Sequence, residues 1–132
     1  MANPSKTKGT RGETAVSKYL NAHGLFAERK ALAGSEDNGD LRIILADGAE
    51  VTAEVKSGKQ TASYPRGRLD LWKRQTLVES ENSGCKAVLI VVRYMRKLVD
   101  AEVWLPNKQW GGVSDGWTMM YLNDFVQEMG GD

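Results

Sequence analysis

Asp40, Glu54 and Lys56 are the residues whose types and spacing could do chemistry in this 132-residue chain. Asp40 opens one alternating segment, and Glu54 and Lys56 stand two apart on the next. Leu41, Ile43 and Leu45 are apolar in the first, and Val51, Ala53 and Val55 in the second. Period two on both sides of Asp47-Gly48 reads as a β-hairpin. The odd-numbered positions of both strands must face one core, so cross-strand partners sum to an even number. That requires an odd loop, Ala46-Asp47-Gly48, with Gly48 at positive φ. Leu45 then pairs with Ala49, and Asp40 lies opposite Glu54. Two carboxylates so placed repel across roughly 5 Å between Cβ atoms. A divalent cation between them removes the repulsion, and Mg²⁺ prefers a few carboxylates beside water and phosphate. Lys56, roughly 7 Å along the strand from Glu54, could orient or deprotonate a water or neutralise charge on phosphorus. The bland alternative is a solvated Glu–Lys pair.

The elements that must position these residues follow from periodicity. Val16, Tyr19, Leu20 and His23 form one stripe of a helix, capped by Thr10 and ended by Gly24. Residues 1–9 are expected to be a mobile basic N-terminus. Leu25–Arg29 reads as a short strand, and residues 31–39 as a loop. A loop over 57–68 precedes a helix over 69–81, with Leu71, Gln75 and Val78 on one face. Ala87–Val92 is a continuous apolar run, the mark of a strand buried on both faces. Strands over 101–105 and 117–121 and a helix over 124–129 capped by Asn123 complete the chain. The order helix, three strands, helix, strands, helix predicts an α/β fold, a mixed sheet flanked by helices in one domain, 1–132.

Glu13 is a third acid with two readings. Thr10-Arg11-Gly12-Glu13 matches a capping box. Gly12, however, is wasteful in a helical turn and suits close approach of a phosphate backbone or a strand.

Lys8-Gly9-Thr10-Arg11-Gly12-Glu13, Asn38-Gly39-Asp40 and Ala53-Glu54-Val55-Lys56-Ser57 together resemble the PD-(D/E)XK nuclease superfamily, and within it the archaeal-type Holliday junction resolvases. The resemblance covers residues 8 to about 92. It implies a restriction-endonuclease-like fold, Mg²⁺-dependent phosphodiester cleavage (Mn²⁺ substituting) and a homodimer acting on four-way or other branched DNA. By matching position, Asp40, Glu54 and the Val55 carbonyl are implied metal ligands, Lys56 the catalytic lysine, and Glu13 a helical acid supporting the metal. Gln75 is the candidate for a further catalytic residue on the following helix, with Lys73 second. The motif's leading proline is replaced by Gly39, Ser35 stands where some resolvases have a loop serine, and residues 93–132 match no part of the family pattern.

The net charge of +1 is uninformative, but its distribution is not. Residues 56–74 hold six basic side chains against Asp70 alone, whereas residues 100–132 hold six acids against Lys108. This fits one polyanion-binding face. The expected DNA contacts are Lys6, Lys8, Arg11, Arg29, Lys30, Lys59, Arg66 and Arg68, reading shape rather than sequence. No apolar run is long enough to span a membrane, and the N-terminus lacks a signal-peptide core, so a cytoplasmic protein is expected (host cytoplasm if the source is viral). Cys85, the lone cysteine, is expected as a small buried packing residue, and His23 as structural. The tryptophans are read as core. Two other functions compete: a nuclease of this fold acting on flaps, ends or invading duplex in repair or restriction, and a non-catalytic nucleic-acid-binding module.

Overall fold

The structure, a computed structural model, describes residues 4–30 and 40–132, with the backbone alone for 4–10. The side chains of Lys6 and Lys8, and the loop 31–39 with Ser35, Asn38 and Gly39, lie outside the described residues. Helix α1 spans Pro4–Ala22, followed by strands β1 (Phe26–Arg29), β2 (Leu41–Ile44) and β3 (Glu50–Lys56). Helix α2 (Arg66–Ser83) leads to β4 (Lys86–Val91), β5 (Glu102–Pro106) and β6 (Trp117–Tyr121), and α3 (Leu122–Glu128) closes the chain. The six strands form one mixed sheet in chain order. Only β3 and β4 pair in parallel, with α2 as the crossover between them. This is the α/β architecture that the order of elements predicts.

The hairpin has the register that burial demands. Leu41 pairs with Ala53 and Ile43 with Val51. The Leu45 N–H donates to the Ala49 carbonyl at 2.9 Å, across a three-residue loop with Gly48 at φ 87°. Leu41, Ile43, Val51 and Ala53 are completely buried beneath α1 and α3, with Val16, Leu20, Leu122 and Phe125. The other sheet face is also covered. Trp72 of α2 packs on Leu89 and Val91, which explains why Ala87–Val91 is apolar at every position.

Several boundaries differ from expectation. Helix α1 begins at Pro4, so Thr10 lies within it and is no cap. The capping-box reading of Glu13 therefore falls. The helix ends as expected at Gly24, φ 89°, where the Leu25 and Gly24 amides bond back to the Leu20 and Asn21 carbonyls. α2 begins at Arg66 and buries Trp72, Thr76, Glu79 and Ser80, whereas Leu71 and Val78 are 46% and 51% exposed. The buried stripe sits one residue on from the expected one, about 100° round the helix. Packing against β3 and β4 decided this, because α2 is too polar for its stripe to be read. Tyr121, not Asn123, is the N-cap of α3. Cys85 is only half-buried, its Sγ 3.1 Å from Glu50 Oε2, and burial pushes its thiol pKa up. Of the tryptophans only Trp72 is fully buried; Trp104, Trp110 and Trp117 are half-buried and pack against the two cores. His23 stacks on Tyr19 and holds the Asp132 backbone carbonyl at 2.8 Å, a structural part.

Candidate active site

The site begins where the β2–β3 ladder ends. Asp40 stands just beyond the Leu41–Ala53 pair, its N–H donating to the Ala53 carbonyl at 2.9 Å, and continuing the register one step sets it toward Glu54. The Val55 N–H donates to Asp40 Oδ2 at 2.8 Å. This bond fixes the Asp40 carboxylate against β3. Glu54 lies on the even-numbered face, between β3 and α2, and is only 7% exposed. A carboxylate so buried needs a cation. Lys56 supplies one, its Nζ 3.1 Å from Glu54 Oε1.

Among the described residues Asp40 has no such ion-pair partner. Burial and the facing Glu54 charge push its pKa up to about 7, opposed by the Val55 amide bond, with Glu13 adding to the rise and Lys56 resisting it. The site therefore holds more negative charge than its protein cations neutralise. Its donors are hard carboxylate oxygens, two facing each other, which suits Mg²⁺ with water and phosphate filling the remaining positions. Among the described residues no group of three or more His, Cys, Asp or Glu side chains could hold a metal ion. Glu13 instead bonds Arg29 Nε at 3.0 Å, so the structure shows two opposed acids with the third held nearby.

The raised pKa has a consequence for stability. An unfolded Asp40 loses its proton near 3.8, and the folded one near 7. Between those values the folded state binds the extra proton, so stability from this group falls as pH rises and the whole penalty is present above about pH 7. Asp40→Asn keeps an acceptor for the Val55 amide and removes the charge. It should stabilise the metal-free protein by about 1–3 kcal/mol at pH 8 and much less at pH 4. Urea denaturation in EDTA at the two pH values checks this; equal effects at both would refute the coupling.

Gly12 explains how α1 reaches the site. A Cβ there would stand 2.3 Å from Ser57 Oγ and 2.7 Å from Ser57 Cβ. The close approach is to a strand end, the residue directly after Lys56.

The loop after Lys56 is pinned rather than free. The Thr61 side chain is buried, and its Oγ1 accepts from the Tyr94 N–H at 2.8 Å. Arg93 donates to the Thr61 and Ala62 carbonyls and to Glu102 Oε2 at 2.8, 3.1 and 3.1 Å. The Tyr64 hydroxyl donates to Glu102 Oε1; burial and this bond push the Tyr64 pKa up to about 12. Nothing in the sequence marks this network, because its members come from 61–64, 93 and 102 and meet only in the sheet.

The expected cationic contacts separate into groups. Arg11 and Lys59 are exposed and line a cavity of about 420 Å³ at the carboxyl ends of β3 and β4. Arg66 and Arg68 are exposed in the first turn of α2. Arg29 is half-occupied by Glu13. Lys30 turns inward, its Nζ 2.7 Å from Thr52 Oγ1, and burial lowers its pKa. Gln75 is exposed on α2. Lys73 lies over the rings of Trp104 and Trp117, at 4.7 and 5.7 Å from their centroids. Sequence reasoning missed Arg96, which lines the same cavity as Arg11 and Lys59; the basic Arg96-Lys97 pair in the turn after β4 was the available signal.

Neither a protein-family model nor a curated protein matches this chain. Among solved structures it is similar to the 1.6 Å structure of Archaeoglobus fulgidus Hjc, a Holliday junction resolvase from an archaeal hyperthermophile. The two share 18% identity, and the superposition covers 89% of this chain and 92% of that one with a TM-score of 0.51. Nearly the whole of both chains is matched, so this chain has the fold of that resolvase, the α/β nuclease fold that the motif resemblance implies.

Proposed function

We propose that this chain is a Mg²⁺-dependent, structure-selective DNA endonuclease, a Holliday junction resolvase working in recombination or repair. The observation that carries the reading is the Glu54 charge acting on Asp40 at the end of the hairpin, with Lys56 3.1 Å from Glu54. Asp40, Glu54 and the Val55 carbonyl would hold the metal, which when bound polarises the phosphoryl oxygen and makes water more acidic. Lys56 neutralises part of the site's charge in the free protein and stabilises charge developing on phosphorus. Glu13, tied to Arg29, adds negative charge beside Asp40 and would support the metal directly or through water. The Val55 amide holds Asp40 in place throughout.

Arg11, Lys59, Arg66 and Arg68 are accessible cations for phosphates, and Arg29 is exposed beside Glu13. The exposed Leu71–Val78 stripe of α2 supports the homodimer that a four-way junction with two cuts calls for. Among the described residues no helix is long and apolar enough to cross a membrane. We place the protein in the cytoplasm with its DNA substrate.

A digest of four-way junction, flap, single strand and duplex, with Mg²⁺ and with EDTA, tests the reading. The junction should be cut fastest, and nothing should be cut in EDTA. Equal rates on all four substrates would sink junction selectivity. Binding without cleavage in Mg²⁺ or Mn²⁺ would make the chain a non-catalytic module.

A further inference from the structure

The turn after β4 has features that the hydrolytic site does not use. The Arg96 N–H donates to the Arg93 carbonyl at 3.1 Å, closing a four-residue turn. Met95 occupies its third position at φ 62°, among the described residues the only non-glycine with positive φ. Glycine or asparagine is usual there, because a side chain with a Cβ adopts this conformation at a cost. Met95 is also 86% exposed. An apolar side chain is thus held out into water on a strained backbone.

The turn is anchored from behind. Arg93 is tied to Thr61, Ala62 and Glu102, and the Tyr94 amide to Thr61 Oγ1. Its tip is therefore presented on a fixed base, on the rim of the cavity that Arg11, Gly12, Ser57, Lys59 and Arg96 also line. No ion pair among the described residues uses Arg11, Lys59 or Arg96. Uncommitted cations around a cavity, with a rigid exposed apolar tip on its rim, match the chemistry of a nucleic acid held by its phosphates and wedged between its bases. Ser57 places this cavity one residue from Lys56.

Resting on the nuclease reading above, we propose that the Arg93–Arg96 turn is a strand-opening wedge: Met95 inserts between bases at the branch point, while Arg11, Lys59 and Arg96 grip the phosphates beside it. Unstacking is cheapest where pairing is already interrupted, so the wedge favours branched over continuous duplex DNA.

The test uses a four-way junction carrying 2-aminopurine at the branch, titrated with protein in Ca²⁺. The wild type should raise the fluorescence as the base unstacks. Met95→Ala and Met95→Gly should bind the junction and lose most of that rise. Met95→Gly should also unfold at the same or a higher temperature than the wild type, which a packing role for Met95 would not allow. Lys59→Ala with Arg96→Ala should lower the slope of log K against log salt by about 0.9 for each phosphate no longer neutralised. A full fluorescence rise with the Met95 variants would overturn the wedge. So would a wild type that binds and cuts the junction with no rise, leaving the nuclease reading intact. A wild type that binds none of the four DNA forms would overturn both.

Discussion

Asp40→Asn and Glu54→Gln should each reduce Mg²⁺-dependent cleavage of a four-way junction by at least about 10²–10³-fold, the usual cost of removing one charge-stabilising group from an active site. Junction binding should survive, because the expected phosphate contacts are made by Arg11, Lys59, Arg66 and Arg68 and not by the two acids. The variants should fail for different reasons. Asn at position 40 keeps the acceptor for the Val55 amide and loses only charge at a site whose carboxylate is already reluctant to ionise. Gln at position 54 also leaves Lys56 without the carboxylate 3.1 Å away, in a place with little access to water. Glu54→Gln should therefore weaken Mg²⁺ binding and reorient Lys56, whereas Asp40→Asn should mainly weaken Mg²⁺ binding. Single-turnover cleavage over a range of Mg²⁺ concentrations separates the two. Full activity in either variant would refute the site.

Gly12→Val should destabilise the protein strongly and cripple cleavage. Even the Cβ of an alanine would meet Ser57 Cβ at 2.7 Å, a clash that rotating the serine hydroxyl cannot relieve. Overpacking of this kind costs about 1–3 kcal/mol, and the added methyls of valine push it toward the upper end or beyond. Alanine would recover up to about 1 kcal/mol of helix propensity over glycine, less than the clash. The strain falls on Ser57, next to Lys56, where a displacement of about 1 Å costs about 10²-fold in rate. Gly12→Ala should thus lower both the urea midpoint and the cleavage rate, and Gly12→Val more so. Gly67→Ala is the control: nothing lies within 4 Å of a Cβ there, so stability should hold or rise slightly. A Gly12→Ala protein as stable as wild type would show that α1 can move off the strand.

The resting protein thus carries a cost at its site. Glu54 is buried against one lysine, and Asp40 faces it with a pKa pushed up to about 7. If the proposed function holds, charge complementarity to a divalent cation is obtained at the expense of the metal-free fold, a common trade of stability for function.

The sequence by itself determined the central hairpin and its consequence. Alternation on β2 and β3 left only an odd loop consistent with burial, and that parity alone set Asp40 opposite Glu54. The order of elements, the ending of α1 at Gly24 and the doubly buried β4 were legible for the same reason: each is a local pattern of burial or backbone freedom. Tertiary structure decided what depends on distant partners. The start of α1 and the buried stripe of α2 carry weak local signals, and packing on the sheet set the stripe. Glu54 is buried because α2 crosses over it. Gly12 acquired its meaning only when α1 met Ser57, and the cap reading of Glu13 fell once α1 ran on past Thr10, leaving that acid to Arg29. Lys30 is a surface cation by sequence and an inward donor to Thr52 by fold. The Tyr64–Arg93–Glu102 network, and the strained turn that it anchors, join segments up to 41 positions apart, from Thr61 to Glu102. Burial parity is written along a strand, but the pairing of strands brought together by a crossover is written nowhere locally.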